Sequence, residues 1–366
     1  MILWLTTWYP DVDAPGRATF VKKQFDALQS TGTEAQLLFL DFQSSTKLFA
    51  LTWESMSATE HRLRIESTFW RVLYHLPGAM APFVRKAWMQ HQGIKPSLIH
   101  GQVIFPAGVM VRHLARSWKV PYGITEHWSK SSQFLKRFWL GRQAQHAYRN
   151  AQFILPVSEH LAHALKNDMP SLEQVAVVPN VITVKGRKDS VMSERSETVN
   201  ILGVASLIES NRHIKKIEVL IEALKILGDR HPNVDWCYRH IGGGAREKAL
   251  KEFSQSVGVN ASWEGSQRPE FVQQAYLESD LLVHLTTTET FGMVVYEAAL
   301  SGLPVICSDI NAFRHIIDRQ RRVSIEAHAV ADAIEAFWNS PSLSSGIEGS
   351  EFSVQAVGER MARAYQ

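Results

Sequence analysis

The chain predicts an α/β fold of two domains, each built on a parallel sheet, with the carboxyl ends of the two sheets facing a central cleft. Three observations predict it. Short apolar runs alternate with longer amphipathic stretches along the sequence, the pattern of strands joined by crossover helices. A length of 366 residues is long for one domain and ordinary for two. The polar, aperiodic stretch 185–198, KGRKDSVMSERSET, interrupts the alternation near the middle, just before a fresh apolar run, VNILGVAS. Residues 1–184 therefore read as one domain, 185–198 as a linker and 199–345 as the second domain. Residues 346–366 read as a C-terminal helix, with the amino-terminal domain as one place for it to pack.

In the front half the strand-like runs are Ile2–Thr6, Ala35–Leu40, Leu98–His100, Tyr122–Thr125 and Phe153–Pro156. Helical periodicity falls between them, for example over Phe20–Ser30 and Ala107–Ser117. In the back half the runs are Asn200–Val204, Asp235–His240, Ala261–Trp263, Leu281–Leu285 and Val305–Cys307, with helices predicted over Lys216–Gly228 and Met293–Leu300. The tail from Ser353 places Val354, Val357 and Met361 on one helical face. No repeat of 20–50 residues interrupts this order.

Composition narrows the class. Hydrophobic residues make up 45% and charged residues 20% of the chain, ordinary for globular domains with full cores. The opening MILWLTTWYP lacks the basic front and long apolar stretch of a leader, so it reads as a first strand. No stretch approaches the ~20 apolar residues of a spanning helix. Cys237 and Cys307 both lie in apolar, strand-like surroundings, which suits a reducing compartment and speaks against a disulfide framework or a zinc site. The expectation is a cytoplasmic protein, with the inner face of the membrane as a further place for it. The net charge of +3 is unevenly spread: 19 Lys/Arg against 12 Asp/Glu in residues 1–180, but 20 against 24 in 181–366. A basic front half suits phosphate, a pyrophosphate lipid or an anionic surface; sampling noise explains so small a difference equally well. It is too small to argue for nucleic acid.

The most informative stretch is 281–309, LLVHLTTTETFGMVVYEAALSGLPVICSD. A buried strand runs into a polar loop, and a helix then starts near Gly292 and ends at Ser301-Gly302. The free amides at that helix start, from Phe291 to about Val294, together with the helix dipole form a site for anionic oxygen such as a diphosphate. Glu289 precedes Gly292 by three residues and Glu297 follows it by five. At ~1.5 Å per residue, Glu297 lies ~7.5 Å down the helix, so one carboxylate can flank each side of a diphosphate. An ionised carboxylate is acceptor-only and suits a pair of hydroxyls. Taken singly, either Glu is better explained by helix-dipole or ion-pair duty; the order strand, Glu, Phe-Gly, helix, Glu, Gly-Leu-Pro-Val is far more specific.

Here the sequence resembles glycosyltransferase family 4, the retaining glycosyltransferases of the GT-B fold with two Rossmann-like domains. Glu289-Thr-Phe-Gly-Met-Val-Val-Tyr-Glu297 followed by Gly302-Leu-Pro-Val matches the family's paired-Glu signature. VVPNVI at 177–182, IGGGAREKAL at 241–250, WEGSQ at 263–267, PAGV at 106–109 and TEHW at 125–128 are similar to other family segments. The resemblance implies that Glu289 contacts donor-sugar hydroxyls, that Glu297 binds the ribose, and that the amides of Phe291, Gly292 and Met293 hold sugar and phosphate. It assigns Lys215, five residues before a Leu-Ile pair, to the diphosphate. The family arginine is absent: its position is Ser206, leaving Arg212 or Lys216 to fold back in its place, against the simpler reading of a solvated basic loop. His127 matches the family histidine that approaches the donor sugar, a residue type apt for donating or accepting near neutral pH. Gly16, with Arg17 beside it, corresponds to the family's glycine-containing first loop, where an amide can approach the phosphate.

The resemblance thus implies an enzyme that moves a sugar, with retention, from a UDP- or GDP-sugar to a saccharide or lipid-linked acceptor in cell-envelope polysaccharide synthesis, using neither a metal nor another cofactor. Residues 69–90 and 134–142 mix aromatics with Arg and Lys, as at a lipid interface; helices lining an acceptor groove explain them equally well. The rival readings are a nucleotide-sugar epimerase or phosphorylase on the same fold, or a non-catalytic nucleotide-sugar-binding protein, which the missing arginine favours.

Overall fold

The computed structural model describes residues 1–10, 18–342 and 349–366. The chain divides into two units: Met1–Val181 with Glu351–Gln366, and Ile182–Ser350.

Unit 1 holds a seven-stranded sheet. Its strands are β1 (Ile2–Thr6), β2 (Ala35–Ser44), β3 (Ala50–Ser55), β4 (Glu60–Ser67), β5 (Leu98–Gln102), β6 (Tyr122–Glu126) and β7 (Phe153–Pro156). They lie in the order β3-β4-β2-β1-β5-β6-β7. All pairings are parallel except the β3–β4 hairpin at the edge. β1 and β5 are buried along their whole length, and a strand covered on both faces reads as a continuous apolar run such as ILWL. The helices are α1 (Thr19–Ser30), α2 (Trp70–Tyr74), α3 (Pro77–Gln92), α4 (Val109–Trp118), α5 (Ser131–Leu135), α6 (Phe138–Arg149) and α7 (Glu159–Asp168). Ser158 caps α7 by accepting from Leu161 N at 3.2 Å.

Unit 2 holds a six-stranded, wholly parallel sheet in the order β10-β9-β8-β11-β12-β13. These strands are β8 (Thr198–Val204), β9 (Asp235–Ile241), β10 (Ala261–Trp263), β11 (Leu281–His284), β12 (Val305–Ser308) and β13 (Arg322–Val323). Its helices are α8 (Ile217–Arg230), α9 (Glu247–Ser256), α10 (Pro269–Glu278), α11 (Met293–Leu300) and α12 (Ala327–Asn339). α8 buries Ile217, Leu220, Ile221, Leu224 and Leu227, one apolar stripe, against α12 and its Val330, Ile334 and Trp338. Cys307 is buried and Cys237 half-buried, both as free thiols.

The stretch 185–198 is not a free linker. It lies along unit 2: Lys188 N donates to Ser301 O at 2.8 Å, Arg195 N to Trp338 O at 3.0 Å, and Trp338 Nε1 to Ser196 O at 2.9 Å. The division falls earlier, after Val181. Polar side chains made the segment look unattached, but its attachments run largely through the backbone.

The final helix, α13 (Val354–Ala364), is capped by Ser353 and packs on α1 of unit 1, burying Val357 and Met361. Just beyond it, the Tyr365 hydroxyl accepts from Trp4 Nε1 at 2.9 Å and meets His100 Nδ1 at 2.6 Å. His100 Nε2 contacts Thr125 Oγ1 at 2.8 Å. His100 is fully buried and held neutral, its pKa pressed down to about 3 by burial first and His127 second.

Candidate functional site

The strongest cluster of sequence-predicted residues sits at the carboxyl end of β11 in unit 2. Beyond β11 the backbone stays extended through Thr286 and pairs with the loop that leads into α8. Lys215 and Thr286 form an antiparallel bridge, Lys216 N donates to Leu285 O at 3.1 Å, and Thr287 N donates to Ile214 O at 3.0 Å. That short ladder fixes Lys215 beside Glu289. The Lys215 ammonium donates to Glu289 Oε1.

A third group completes the cluster. His284, the last residue of β11, has Nε2 3.2 Å from Glu289 Oε1 and 3.3 Å from Lys215 Nζ. Burial would raise the Glu289 carboxyl, but Lys215 and His284 outweigh it and hold it down at about 2. His284 is lowered by burial and then by the Lys215 cation, against the opposing pull of Glu289. Sequence reasoning missed His284 because it reads as one more residue of the buried run LLVHL. The signal was there: a polar side chain in an otherwise apolar strand must find partners.

Glu289 is followed by the start of α11. Gly292 has φ +88°, and a Cβ there would lie 2.4 Å from Phe313 Cε1, so only glycine fits both the backbone and the space. Its carbonyl accepts from Val295 N at 2.9 Å and Tyr296 N at 3.3 Å. The preceding amides of Met293 and Val294 meet no acceptor among the described residues. Gly292, the residue at the cap, brings no side chain to these amides, so they and the dipole remain available to an anion. Phe291 is buried and stacks on Tyr296 at 4.3 Å between ring centroids. Glu297, in the second turn, accepts from the Tyr276 hydroxyl at 3.2 Å.

The other predicted residues are placed as follows. Arg212 is exposed and pairs with Glu209 at 3.5 Å. Lys216 is half-buried at the entrance to α8 and lines a small pocket with Gly203, His240 and His284. In unit 1, His127 follows β6 and is buried, with Nε2 3.0 Å from Gln102 Oε1 and its ring 4.6 Å from that of Phe20. Burial lowers it to about 3, so it is a neutral imidazole. Its neighbour Glu126 is wholly buried, accepting from Trp128 N at 2.7 Å, Ile104 N at 3.0 Å and the Tyr148 hydroxyl. Burial raises Glu126 to about 7 against those bonds. Gly16 and Arg17 lie outside the described residues.

Unit 1 carries a second feature. α2, α3, α4, α6 and α5 pack side by side in that order. Phe69, Val72, Phe83, Phe138 and Trp139 stand exposed on or beside them, as do Leu48 and Phe49 from the β2–β3 turn. Between Ser67 and Ser158 the chain has twelve Lys/Arg and one acid, the buried Glu126. Among the described residues no helix is long and apolar enough to cross a membrane.

These two parallel-sheet units have the architecture of GT-B glycosyltransferases. A sucrose-phosphate synthase from Thermosynechococcus elongatus superposes with a TM-score of 0.73 at 17% identity, covering 100% of this chain and 98% of that one. Anabaena HepE, solved in complex with UDP and glucose, superposes with a TM-score of 0.65 at 16% identity, covering 100% and 95%. In sequence, residues 27–185 match Glycosyltransferase Family 4 and residues 197–347 match Glycosyl transferases group 1. TuaC of Bacillus subtilis, named for a glycosyltransferase role in teichuronic acid biosynthesis, is 24% identical over 359 residues, 92% of this chain and 88% of TuaC. The chain belongs to the family 4, group 1 glycosyltransferases.

Proposed function

We propose that this glycosyltransferase moves a hexosyl group, with retention and without a metal or other cofactor, from a UDP- or GDP-sugar to a saccharide or lipid-linked acceptor of cell-envelope polysaccharide synthesis. The observation that carries the reading is the Lys215–Glu289 pair beside the glycine start of α11. A diphosphate at that helix start meets the amides of Gly292 and Met293 and the Lys215 ammonium, a preorganised set of positive groups. Glu289, ionised at neutral pH, accepts from sugar hydroxyls, and Glu297 accepts from ribose hydroxyls. As the bond from the anomeric carbon to the diphosphate breaks, Lys215 and the amides take up the growing negative charge. His127 serves the donor sugar as a neutral hydrogen-bonding group. Arg212 or Lys216 supplies further charge to the diphosphate. The UDP-and-glucose complex of HepE and the teichuronic acid biosynthesis named for TuaC support the donor and acceptor classes.

The test is a screen of UDP- and GDP-sugars for nucleotide release and transfer, with and without EDTA, and with product anomers read by proton NMR. Transfer that resists EDTA, keeps the anomeric configuration and disappears in Glu289→Ala is the expected result. A chain that binds these donors yet neither hydrolyses nor transfers them is a binding protein instead. An inverted product ends the retaining reading.

The exposed aromatics of unit 1, set in a stretch whose only acid is buried, support peripheral contact with an anionic membrane, where a lipid-linked acceptor would be met. Co-sedimentation with phosphatidylglycerol vesicles, weakened by salt and by Phe138→Ser/Trp139→Ser, is expected. Equal binding to neutral and anionic vesicles, or none, refutes it.

A further inference from the structure

The third member of the cluster in unit 2 has no role so far. We propose that His284 is a positioning residue: its Nε2 and the Glu289 carboxylate together clamp the Lys215 ammonium, so that cation and acid meet the donor in one fixed arrangement. The proposal rests on the donor-site reading above.

The strand itself poses the question. Leu281, Leu282, Val283 and Leu285 around His284 are all buried and apolar, and a leucine at 284 would continue the pattern at no polar cost. A histidine there is tolerated with its polar atoms engaged, and Nε2 is. Nε2 faces Lys215 and Glu289, and the backbone of Val204 on the neighbouring strand β8 pulls the ring's titration upward.

The tautomer follows. An ammonium can only donate, so the 3.3 Å contact between Lys215 Nζ and Nε2 takes the lone pair of Nε2 and leaves the proton of the neutral ring on Nδ1. Nε2 then presents a lone pair, which cannot bond a carboxylate but does accept from an ammonium. Its 3.2 Å approach to Glu289 Oε1 is reconciled by Lys215, which donates to both. Lysine is a point charge on a flexible four-carbon stem, and two acceptors fix it where one leaves it free to swing. Protonating His284 reverses this: Nε2–H donates to Glu289 and stands cation against cation to Lys215. The groups that face the ring are Lys215 and Glu289 from their two loops, Val204 on β8, the Phe313 ring at 6.0 Å, and His240 on β9. Only Glu289 among these favours the charged ring side chain to side chain.

Two measurements test it. The first needs no turnover: selective ¹⁵N-histidine NMR of the full chain. The expected result is a neutral Nδ1–H tautomer for His284, with its titration moving to higher pH in Lys215→Met, where the repelling cation is gone. An Nε2–H tautomer, or a titration indifferent to Lys215, overturns the clamp. The second is transfer kinetics with whichever nucleotide sugar the wild type uses. His284→Leu should lose about tenfold or more in kcat with donor KM changed less than about threefold, the cost of a misplaced catalytic cation. His284→Gln, which restores an acceptor near the place of Nε2, should recover most of that and flatten the acid limb of the pH profile. A His284→Leu enzyme with wild-type kcat and acid limb, or a loss that Gln leaves untouched with the acid limb intact, reduces His284 to packing. A wild type that turns over no donor refutes the donor-site reading instead, and the NMR result stands apart from it.

Discussion

Replacing Lys215 by Met tests the electrostatics of the site most directly. Glu289 is held at about 2 against an ordinary 4.5. At about 1.4 kcal/mol per pH unit that gap is worth about 3 kcal/mol. The side chains of Lys215 and Glu289 are 14% and 19% exposed, so solvent screening trims the figure to roughly 2–3 kcal/mol. A carboxylate whose pKa is depressed on folding stabilises the fold fully above pH 4.5, and the benefit disappears as pH falls toward 2. Without Lys215, burial still raises the carboxyl and His284 is left to oppose it. Glu289 then titrates higher, and the stabilisation its charge brings at pH 7 shrinks. Lys215→Met should therefore weaken unit 2 by about 2–3 kcal/mol at pH 7 and by much less at pH 3, while Lys215→Met/Glu289→Gln recovers most of the loss. Hydrogen exchange of unit 2 peptides in a urea series reads this unit separately from unit 1. Equal stability of wild type and Lys215→Met at pH 7, or a double variant that simply adds the two single losses, refutes the reasoning.

Gly292→Ala combines a left-handed backbone costing about 1–2 kcal/mol with a Cβ 2.4 Å from Phe313 Cε1. It should destabilise unit 2 by about 2–5 kcal/mol in the same exchange assay, with Phe313→Leu relieving only the steric part; an alanine within about 0.5 kcal/mol of wild type contradicts the geometry. Glu126, raised to about 7 by burial, stays protonated in the fold after the unfolded chain has ionised. Unit 1 should lose stability as pH rises from 4.5 to 7, and Glu126→Gln should flatten that slope in a pH series of exchange rates. Tyr365→Phe leaves Trp4 Nε1 and His100 Nδ1 without their shared partner, and should cost unit 1 about 1–3 kcal/mol in urea unfolding; a neutral result there means water replaces the hydroxyl.

The strands that bracket the sites were legible because burial on both faces makes them apolar throughout. Ile2–Thr6, Phe153–Pro156 and Ala261–Trp263 have the expected bounds, and the others differ by a few residues at their ends. The β3–β4 hairpin was passed over because β3, the edge strand, buries no residue and β4 buries His61, Arg62 and Ser67 among its apolar residues, so LTWES and EHRLRIES are not solid apolar runs. Glu289, Gly292 and Glu297 were legible from their spacing within one short segment. Lys215 needed the family pattern, since nothing local reveals that its backbone pairs with Thr286, 71 positions away. His284 escaped because composition sees a strand where the structure sees a hydrogen-bonded triad. The segment 185–198 was misread because side-chain polarity says nothing about where backbone amides donate.

The discontinuity of unit 1 has a consequence for biogenesis. Its core includes Val357 and Met361, and its buried polar centre is closed by Tyr365. Every residue of unit 2 is synthesised before those side chains exist. The half of the protein made first is therefore the last to be completed: the seat of α13 on the seven-stranded unit stays unfilled until the last residues of unit 1 are made.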